Sequence, residues 1–370
     1  MTDTSERVPP RDERAQDRET RDLPAESVGR PASAGSKPGS MATVGEPLGP
    51  IQADYALAYE SGVEVKARSQ WAYARIRFFR HRLAVGSLLV LLFAGFVALF
   101  AELVAPYGYD EIPLDNLLAS QNLGPRLEDW HLFGTDQLGR DYLSRVIFGI
   151  RTSLWIALFV AVLSTALGTM IGAVAGYFGG VIDNLLMRFT DLILTLPGLA
   201  VLLTAAAFFG QSAKAINLGL FSVTLPQTMV VGLILAFLFW TGIARIVRGV
   251  FLSLREKEYV EAAKAAGASD VRIIVRHMLP NTVGPIVVNA TLVVAAAILT
   301  EAALSFLGFG IQPPDAALGK LIADGQSEGF RLWWLVTFPG LVIVVIALAI
   351  NFVGDGLRDA LDPTQRRVRA

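Results

Sequence analysis

The sequence predicts an all-α fold, a polytopic membrane protein with six transmembrane helices, and three observations carry that prediction. Hydrophobic residues make up 53% of the 370-residue chain and charged residues only 18%, which excludes an ordinary soluble domain. The apolar residues collect in nearly uncharged windows of roughly 20 residues, the length a helix needs to cross the hydrocarbon core. Within these windows polar and apolar residues do not alternate as they would in the strands of a membrane barrel.

Residues 1–68 interleave arginine with aspartate and glutamate, are punctuated by proline, glycine and serine, and read as a disordered cytoplasmic extension. No apolar stretch follows the initiating methionine, so a cleaved signal peptide is not expected. From 69 to 82, Trp71, Ile76, Phe78 and Phe79 lie among arginines. That pattern suits a short helix at the inner membrane interface or, equally, a basic flank that only sets topology. The six spans are expected at 83–105, 154–177, 192–210, 228–244, 283–300 and 332–353, the fourth being short unless it begins nearer Leu218. Glu102 falls near the outer end of the first span beside Pro106, where water can solvate a carboxylate. An external segment follows, 106–150, too polar for lipid. With the interfacial helix and first span it makes a unit over 69–148, ahead of a five-helix core over 149–360 and a tail over 361–370.

Basic residues orient the spans. Arg75, Arg77, Arg80 and Arg82 precede the first, and Arg245, Arg248, Arg255, Lys257, Lys264, Arg272 and Arg276 lie between the fourth and fifth. Both clusters are expected on the cytoplasmic side. Six crossings return the C-terminus to that side, and Arg358, Arg366, Arg367 and Arg369 agree with it.

Several chemistries are excluded or disfavoured. The chain has no cysteine, hence no disulfide, thiolate ligand or thiol nucleophile. The nearest approach to a phosphate-binding loop, Leu318-Gly319-Lys320-Leu321, lacks the upstream glycine and the hydroxyl residue, so the chain is not expected to hydrolyse ATP. His81 and His277 are expected inside and His131 outside, which prevents a shared metal site.

The cytoplasmic connection over 251–285 is far longer than the roughly 2–8 residues usual between bundled helices. It contains Tyr259, Glu261, Ala262, Ala263, Gly267, Ala268, Ser269 and Asp270, then Val271, Ile274, Val275 and Met278 at helical spacing, then Leu279, Pro280 and Asn281. The pattern is helix, turn, helix. Gly267 offers a permissive helix end, Ser269 or Asp270 a cap for the second helix, and Pro280 a stop or kink. Ala262, Ala263, Ala265 and Ala266 leave a thin surface that a partner's groove can approach closely.

These residues resemble the membrane subunit of ATP-binding-cassette importers, whose cytoplasmic loop carries E-A-A, three residues, G, nine residues, and I-x-L-P. Glu261, Ala262, Ala263, Gly267, Leu279 and Pro280 match it, while His277 replaces the isoleucine. The run His277-Met278-Leu279-Pro280-Asn281 is similar to the variant of the dipeptide and oligopeptide branch. Three further stretches resemble that branch: His131 to Asp141 with Asp136 and Arg140, Thr300 to Gly308 with Glu301, and Asn351 to Asp359.

The resemblance implies a type I ABC importer permease fold and the second, C-type, of two unlike permeases, in the bacterial plasma (inner) membrane with both termini cytoplasmic. It implies that 259–270 is the coupling helix that docks on a cytoplasmic ATPase. The partners it implies are a second permease, two ATPase domains holding ATP and Mg, an external substrate-binding protein and a di- or oligopeptide substrate. No cofactor is expected on this chain itself. Asp136, Arg140 and Asp141 are candidates for contacts of the external loop. Nickel or another small solute remains an alternative cargo, and an ion-driven secondary transporter an alternative mechanism, although that class normally shows more ionisable groups within its spans.

Glu301, at the outer end of the fifth span, is a candidate for the translocation path. A hydrogen bond or ion pair that ties the span to its neighbours or to the external loop is favoured over that role, with Arg140 and Arg145 as the partners considered. Asp191, Thr195 and Pro197 are candidates for a bend that exposes backbone to the path; helix packing explains them nearly as well.

Overall fold

The longest apolar run of the chain, together with the residues just before it, forms one helix, α4 (Tyr142–Phe178). At 1.5 Å per residue it is about 55 Å long, well beyond the roughly 30 Å of hydrocarbon, so both ends project from the membrane. Its start lies further upstream than the apolar composition indicates because Asp141 caps it, accepting the Ser144 N–H at 2.7 Å. Gly179, at φ +66°, ends it.

The computed structural model describes residues 70–113, 121–127, 130–209, 215–217 and 222–361, all within one compact unit, Arg68–Ala370. The expected disordered extension over 1–68 and the tail beyond 361 lie outside the described residues. In chain order the helices are α1 (Gln70–Arg80), α2 (Arg82–Leu99), the short α3 (Ala101–Val104), α4, α5 (Gly180–Thr195) and α6 (Gly198–Phe209). They continue with α7 (Gln227–Arg255), α8 (Glu258–Ala265), α9 (Asp270–Phe306), α10 (Leu318–Gln326) and α11 (Trp334–Leu361). The all-α expectation has one exception: β1 (Ala215–Asn217) pairs antiparallel with β2 (Ser222–Thr224), Ile216 opposite Val223.

Five helices, α2, α4, α7, α9 and α11, are long and apolar enough to cross a membrane. The third expected span is not one straight helix. It is the second half of a pair, α5 and α6, bent by 83° at Leu196-Pro197, and only the pair together has the length and composition of a span. Pro197 has no N–H to continue α5, and its carbonyl instead accepts the Val201 N–H and starts α6. The fourth span runs on to Arg255, so Arg245, Arg248 and Arg255 belong to a helix rather than a loop. Arg245 pairs with Asp191 and Arg248 with Asp183, which ties α7 to α5.

The most extensive contact in the molecule joins α4 to α7, and glycine permits it. Gly168, Gly172 and Gly176 recur every fourth residue and form one stripe on α4. A Cβ at these positions would lie 2.6 Å from the Trp240 carbonyl oxygen, 2.4 Å from that of Ala244 and 2.6 Å from Phe251 Cβ. The main core gathers Tyr142, Val146, Ile150, Leu235, Ile298, Leu318, Leu321 and Leu335 around the N-terminal end of α4 and the C-terminal end of α9. A second core, with Tyr177, Val247, Phe251, Val260, Ile273 and Met278, lies at the opposite end, beneath α8.

The helix expected at the membrane interface is present as α1. It is held against protein: Ala74 and Phe78 are buried with Ala84 of α2 and Ala360 of α11.

Candidate functional site

The helix-turn-helix between α7 and α9 forms as its sequence requires. α8 places Glu258 and Glu261 in its first turn and Lys264 in its last, charges that complement the helix dipole, with alanines of high helix propensity between them. It ends in a Schellman motif: the Ala268 N–H donates to the Ala263 carbonyl at 3.1 Å and the Gly267 N–H to that of Lys264 at 2.9 Å. Gly267 has φ +77°, a left-handed conformation that costs other L-residues about 1–2 kcal/mol. No atom lies within 4 Å of where its Cβ would stand, so the position is open.

α8 is anchored on one side and bare on the other. Val260 is fully buried in the second core, with Ala263 and Ala268 packed against it. Glu261, Ala262, Ala265, Ala266 and Gly267 are exposed and Tyr259 is partly so. Ala263 therefore faces inward, and the thin outer surface consists of Ala262, Ala265 and Ala266.

Three side chains to which the sequence reading gave no such role fix the hairpin. Tyr177, at the end of α4, donates its hydroxyl to Asp270 Oδ1 at 2.6 Å, and its ring lies 5.3 Å from Lys264 Nζ. Asn281 Nδ2 donates to the Tyr259 hydroxyl at 3.3 Å and to the His277 carbonyl at 2.8 Å. Arg255 Nη1 donates to the Tyr177 carbonyl at 3.4 Å. A tyrosine closing an apolar run is a usable signal for the first of these, since a buried phenol seeks a partner.

Two expectations about the second helix need correction. Ser269 occupies the cap position, but its hydroxyl makes no capping bond, and Asp270 instead holds Tyr177. The apolar series Val271, Ile274, Val275 and Met278 does not share one buried face: Val271 and Val275 are exposed, Ile274 is half-buried, and Met278 is fully buried together with Ile273. The physical reason is a π-helical segment, Ile273–Met278, whose wider turn places residues five apart on one face. In the same way Pro280, expected to stop or kink the chain, does not stop the helix. The Leu279 N–H bonds to the Ile274 carbonyl five residues back, and the proline sits at the start of the α-helical continuation, where a missing N–H is tolerated. Leu279 is half-buried and Pro280 exposed.

The remaining candidates lie elsewhere. Asp136 is buried and accepts from Arg140 Nη2 at 2.7 Å, Arg145 Nη1 at 2.6 Å and the Leu138 and Arg140 N–H groups. Asp141, also buried, caps α4 and receives His131 Nδ1 at 2.9 Å. These residues shape the segment ahead of α4 from within. Glu301 is fully buried, and the expected arginine pair is not formed, because Arg140 and Arg145 are both committed to Asp136. Instead Ser153 of α4 donates to Glu301 Oε2 at 2.8 Å and Ser305 to Oε1 at 2.7 Å, so hydroxyls satisfy the carboxyl group. Asp191, Thr195 and Pro197 cluster at the α5–α6 bend. Asp191 pairs with Arg245, and Thr195 donates to the Leu192 carbonyl at 2.7 Å. Gly319 is a packing residue whose Cβ would lie 2.0 Å from the Ala302 carbonyl oxygen, and Lys320 pairs with Asp324 at 2.9 Å. No cluster of three metal-ligating side chains occurs among the described residues.

Nothing in the hairpin pairs a nucleophile with a base. It presents a short, rigid helix fixed to the ends of α4, α7 and α9, an arrangement suited to mechanical contact. Residues 168–367 match the family of binding-protein-dependent transport system inner membrane components, and residues 69–125 match the N-terminal TM domain of oligopeptide transport permease C. The chain is 41% identical over 308 residues to the oligopeptide transport system permease protein OppC of Escherichia coli K12, covering 83% of this chain and 96% of that protein. OppC of Mycobacterium tuberculosis is 41% identical over 293 residues, 79% of this chain and 94% of the relative. OppC of Haemophilus influenzae is 36% identical over 324 residues, 87% and 98% respectively. The chain therefore belongs to the family of binding-protein-dependent transport system inner membrane components and is a C-type permease subunit of an ABC importer, on its oligopeptide branch.

Proposed function

We propose that this subunit forms, with a second and unlike permease, the bilayer path for di- or oligopeptides, and that α8 with its Gly267 turn is the surface on which a cytoplasmic ATPase acts. The single observation that carries this reading is the two-sidedness of α8: Val260 seals one face into the core, while Glu261, Ala262, Ala265, Ala266 and Gly267 leave the other bare and narrow. A force applied there passes through Tyr177, Asp270 and Asn281 into α4 and α9 rather than dissipating in a loose loop. ATP and Mg belong to the partner ATPases, and an external binding protein delivers the cargo. The family membership and the names of the relatives support peptide as the substrate class. The inner membrane, with both termini in the cytoplasm, is the location that the basic clusters and the family support.

Coupling of this kind requires a membrane element with two arrangements that both the ATPase and the cargo bias, since a ligand equally tight in both shifts neither. The rigid hairpin supplies the link between them.

Gly267 provides the test. Because no atom lies within 4 Å of where its Cβ would stand, the first carbon of the Gly267→Trp side chain has room within the subunit, at the left-handed backbone cost of about 1–2 kcal/mol, whereas the indole obstructs a docked partner. Gly267→Asn tolerates the left-handed backbone and serves as the conservative control. In the assembled, reconstituted complex, Gly267→Trp is expected to lower peptide uptake and peptide-stimulated ATPase activity by about tenfold or more, equivalent to about 1.4 kcal/mol of lost coupling, while Gly267→Asn stays close to the parent. Normal coupling in the tryptophan variant would overturn the assignment.

A further inference from the structure

The helix ahead of the first span leaves an apolar groove open beside it. Phe78 and Phe79 of α1, Val287 of α9 and Leu357 and Leu361 of α11 line a space of about 520 Å³, and among the described residues Arg75 is the one charged residue on its wall. Phe79 is 60% exposed. α1 carries Arg75, Arg77 and Arg80 and no acidic residue. Arg75 is exposed and makes no ion pair among the described residues. The acidic residues of the neighbouring helix, Asp355 and Asp359, line a separate cleft with His81 and Arg358.

We propose that this groove binds an anionic phospholipid, with an acyl chain against Phe79 and Leu361 and the headgroup phosphate on Arg75. The groove lies at the level where such a molecule is available, because only His81 separates α1 from the membrane-spanning α2. An unpaired guanidinium next to apolar surface matches an amphiphile with a negative head; a soluble anion would leave the apolar wall unused. The site is preformed as well. α1 is clamped to α11 by Ala74 and Phe78, and Gly356 of α11 leaves room for both neighbours: a Cβ there would lie 2.4 Å from that of Ala84 on α2 and 3.3 Å from the Phe78 ring on α1. A groove held open by protein packing does not have to be organised by its ligand. The site requires only that the chain crosses a bilayer and is independent of how α8 meets its partner.

The absence of cysteine makes a direct test available. Leu361→Cys, labelled with a bimane fluorophore, places one probe in the groove of the full chain in phosphatidylcholine nanodiscs. Equal small fractions of doxyl-labelled phosphatidylglycerol or doxyl-labelled phosphatidylcholine are then added as quenchers. The anionic quencher is expected to be about fivefold more effective, the factor that about 1 kcal/mol per basic residue near a membrane gives. Arg75→Gln should bring the two to parity, while Arg331→Gln, at the opposite end of the bundle, should leave the preference intact. Phe79→Cys offers a second probe position at an exposed site if the first perturbs packing. Equal quenching by both lipids, a preference that survives Arg75→Gln, or a probe that neither lipid reaches would overturn the proposal, the last outcome placing protein, such as residues 1–69, in the groove.

Discussion

The glycine stripe on α4 makes the most quantitative prediction. In Gly172→Ala the new methyl group would stand 2.4 Å from the Ala244 carbonyl oxygen and 2.9 Å from Val247 Cβ, against an ordinary carbon–oxygen contact of about 3.3 Å or more. The obstacle is main chain in the middle of a packed helix, so it cannot rotate aside, and α4 and α7 must separate locally by about 1 Å. Overpacking of this kind costs about 1–3 kcal/mol, offset in part by the roughly 0.5–1 kcal/mol that alanine gains over glycine inside a helix. Gly242 and Gly249 of α7 have nothing within 4 Å of a Cβ and receive the favourable term alone. The expected result is that Gly172→Ala is less stable than Gly242→Ala by about 1–3 kcal/mol. Equilibrium unfolding of the purified chain in mixed micelles, followed by tryptophan fluorescence with Trp240 at the affected interface, reads this difference. If the two variants unfolded together, close backbone approach between α4 and α7 would not be holding the bundle.

Other substitutions probe the buried polar groups. Glu301→Gln keeps the shape and can still accept from one serine while donating to the other, so it should cost less than about 1 kcal/mol, whereas Glu301→Ala strands the Ser153 and Ser305 hydroxyls and should cost about 2–4 kcal/mol; thermal unfolding in detergent separates them. Asp136→Asn leaves Arg140 and Arg145 without their carboxylate, and breaking a buried pair costs about 3–5 kcal/mol. Its effect should concentrate in the external segment, measured as faster hydrogen exchange over 130–145 with α8 unchanged. Tyr177→Phe removes the hydroxyl that holds Asp270 and should loosen the hairpin by about 1 kcal/mol, seen as increased exchange at 259–272.

The part of the fold set by composition and local chemistry was legible before any coordinates. Apolar length alone locates the membrane-crossing helices, because lipid forces each segment to satisfy its own backbone. Pro197 announces the break in the third span, and Gly267 announces the end of α8 through the one backbone conformation that glycine adopts freely. The outer limits of the helices were less legible: α4 begins at Tyr142, where Asp141 caps it, and α7 continues to Arg255, with Asp191 and Asp183 of α5 pairing its Arg245 and Arg248. The π-helical turn was invisible to a search at helical spacing, which assumes about 3.6 residues per turn and so passes over Ile273.

The residues alone determined that the chain crosses a membrane, which of its ends carry positive charge, and that a small-residue hairpin stands between the fourth and fifth spans. These properties depend on transfer free energy and local propensity, which each segment carries with it. Only the tertiary structure decided that Glu301 is satisfied by Ser153 and Ser305 rather than by an arginine, that Tyr177 anchors the hairpin from 93 residues away, and that three glycines exist to let two helices touch. Those outcomes depend on which side chains meet across the bundle, and a meeting between distant segments has no local signature.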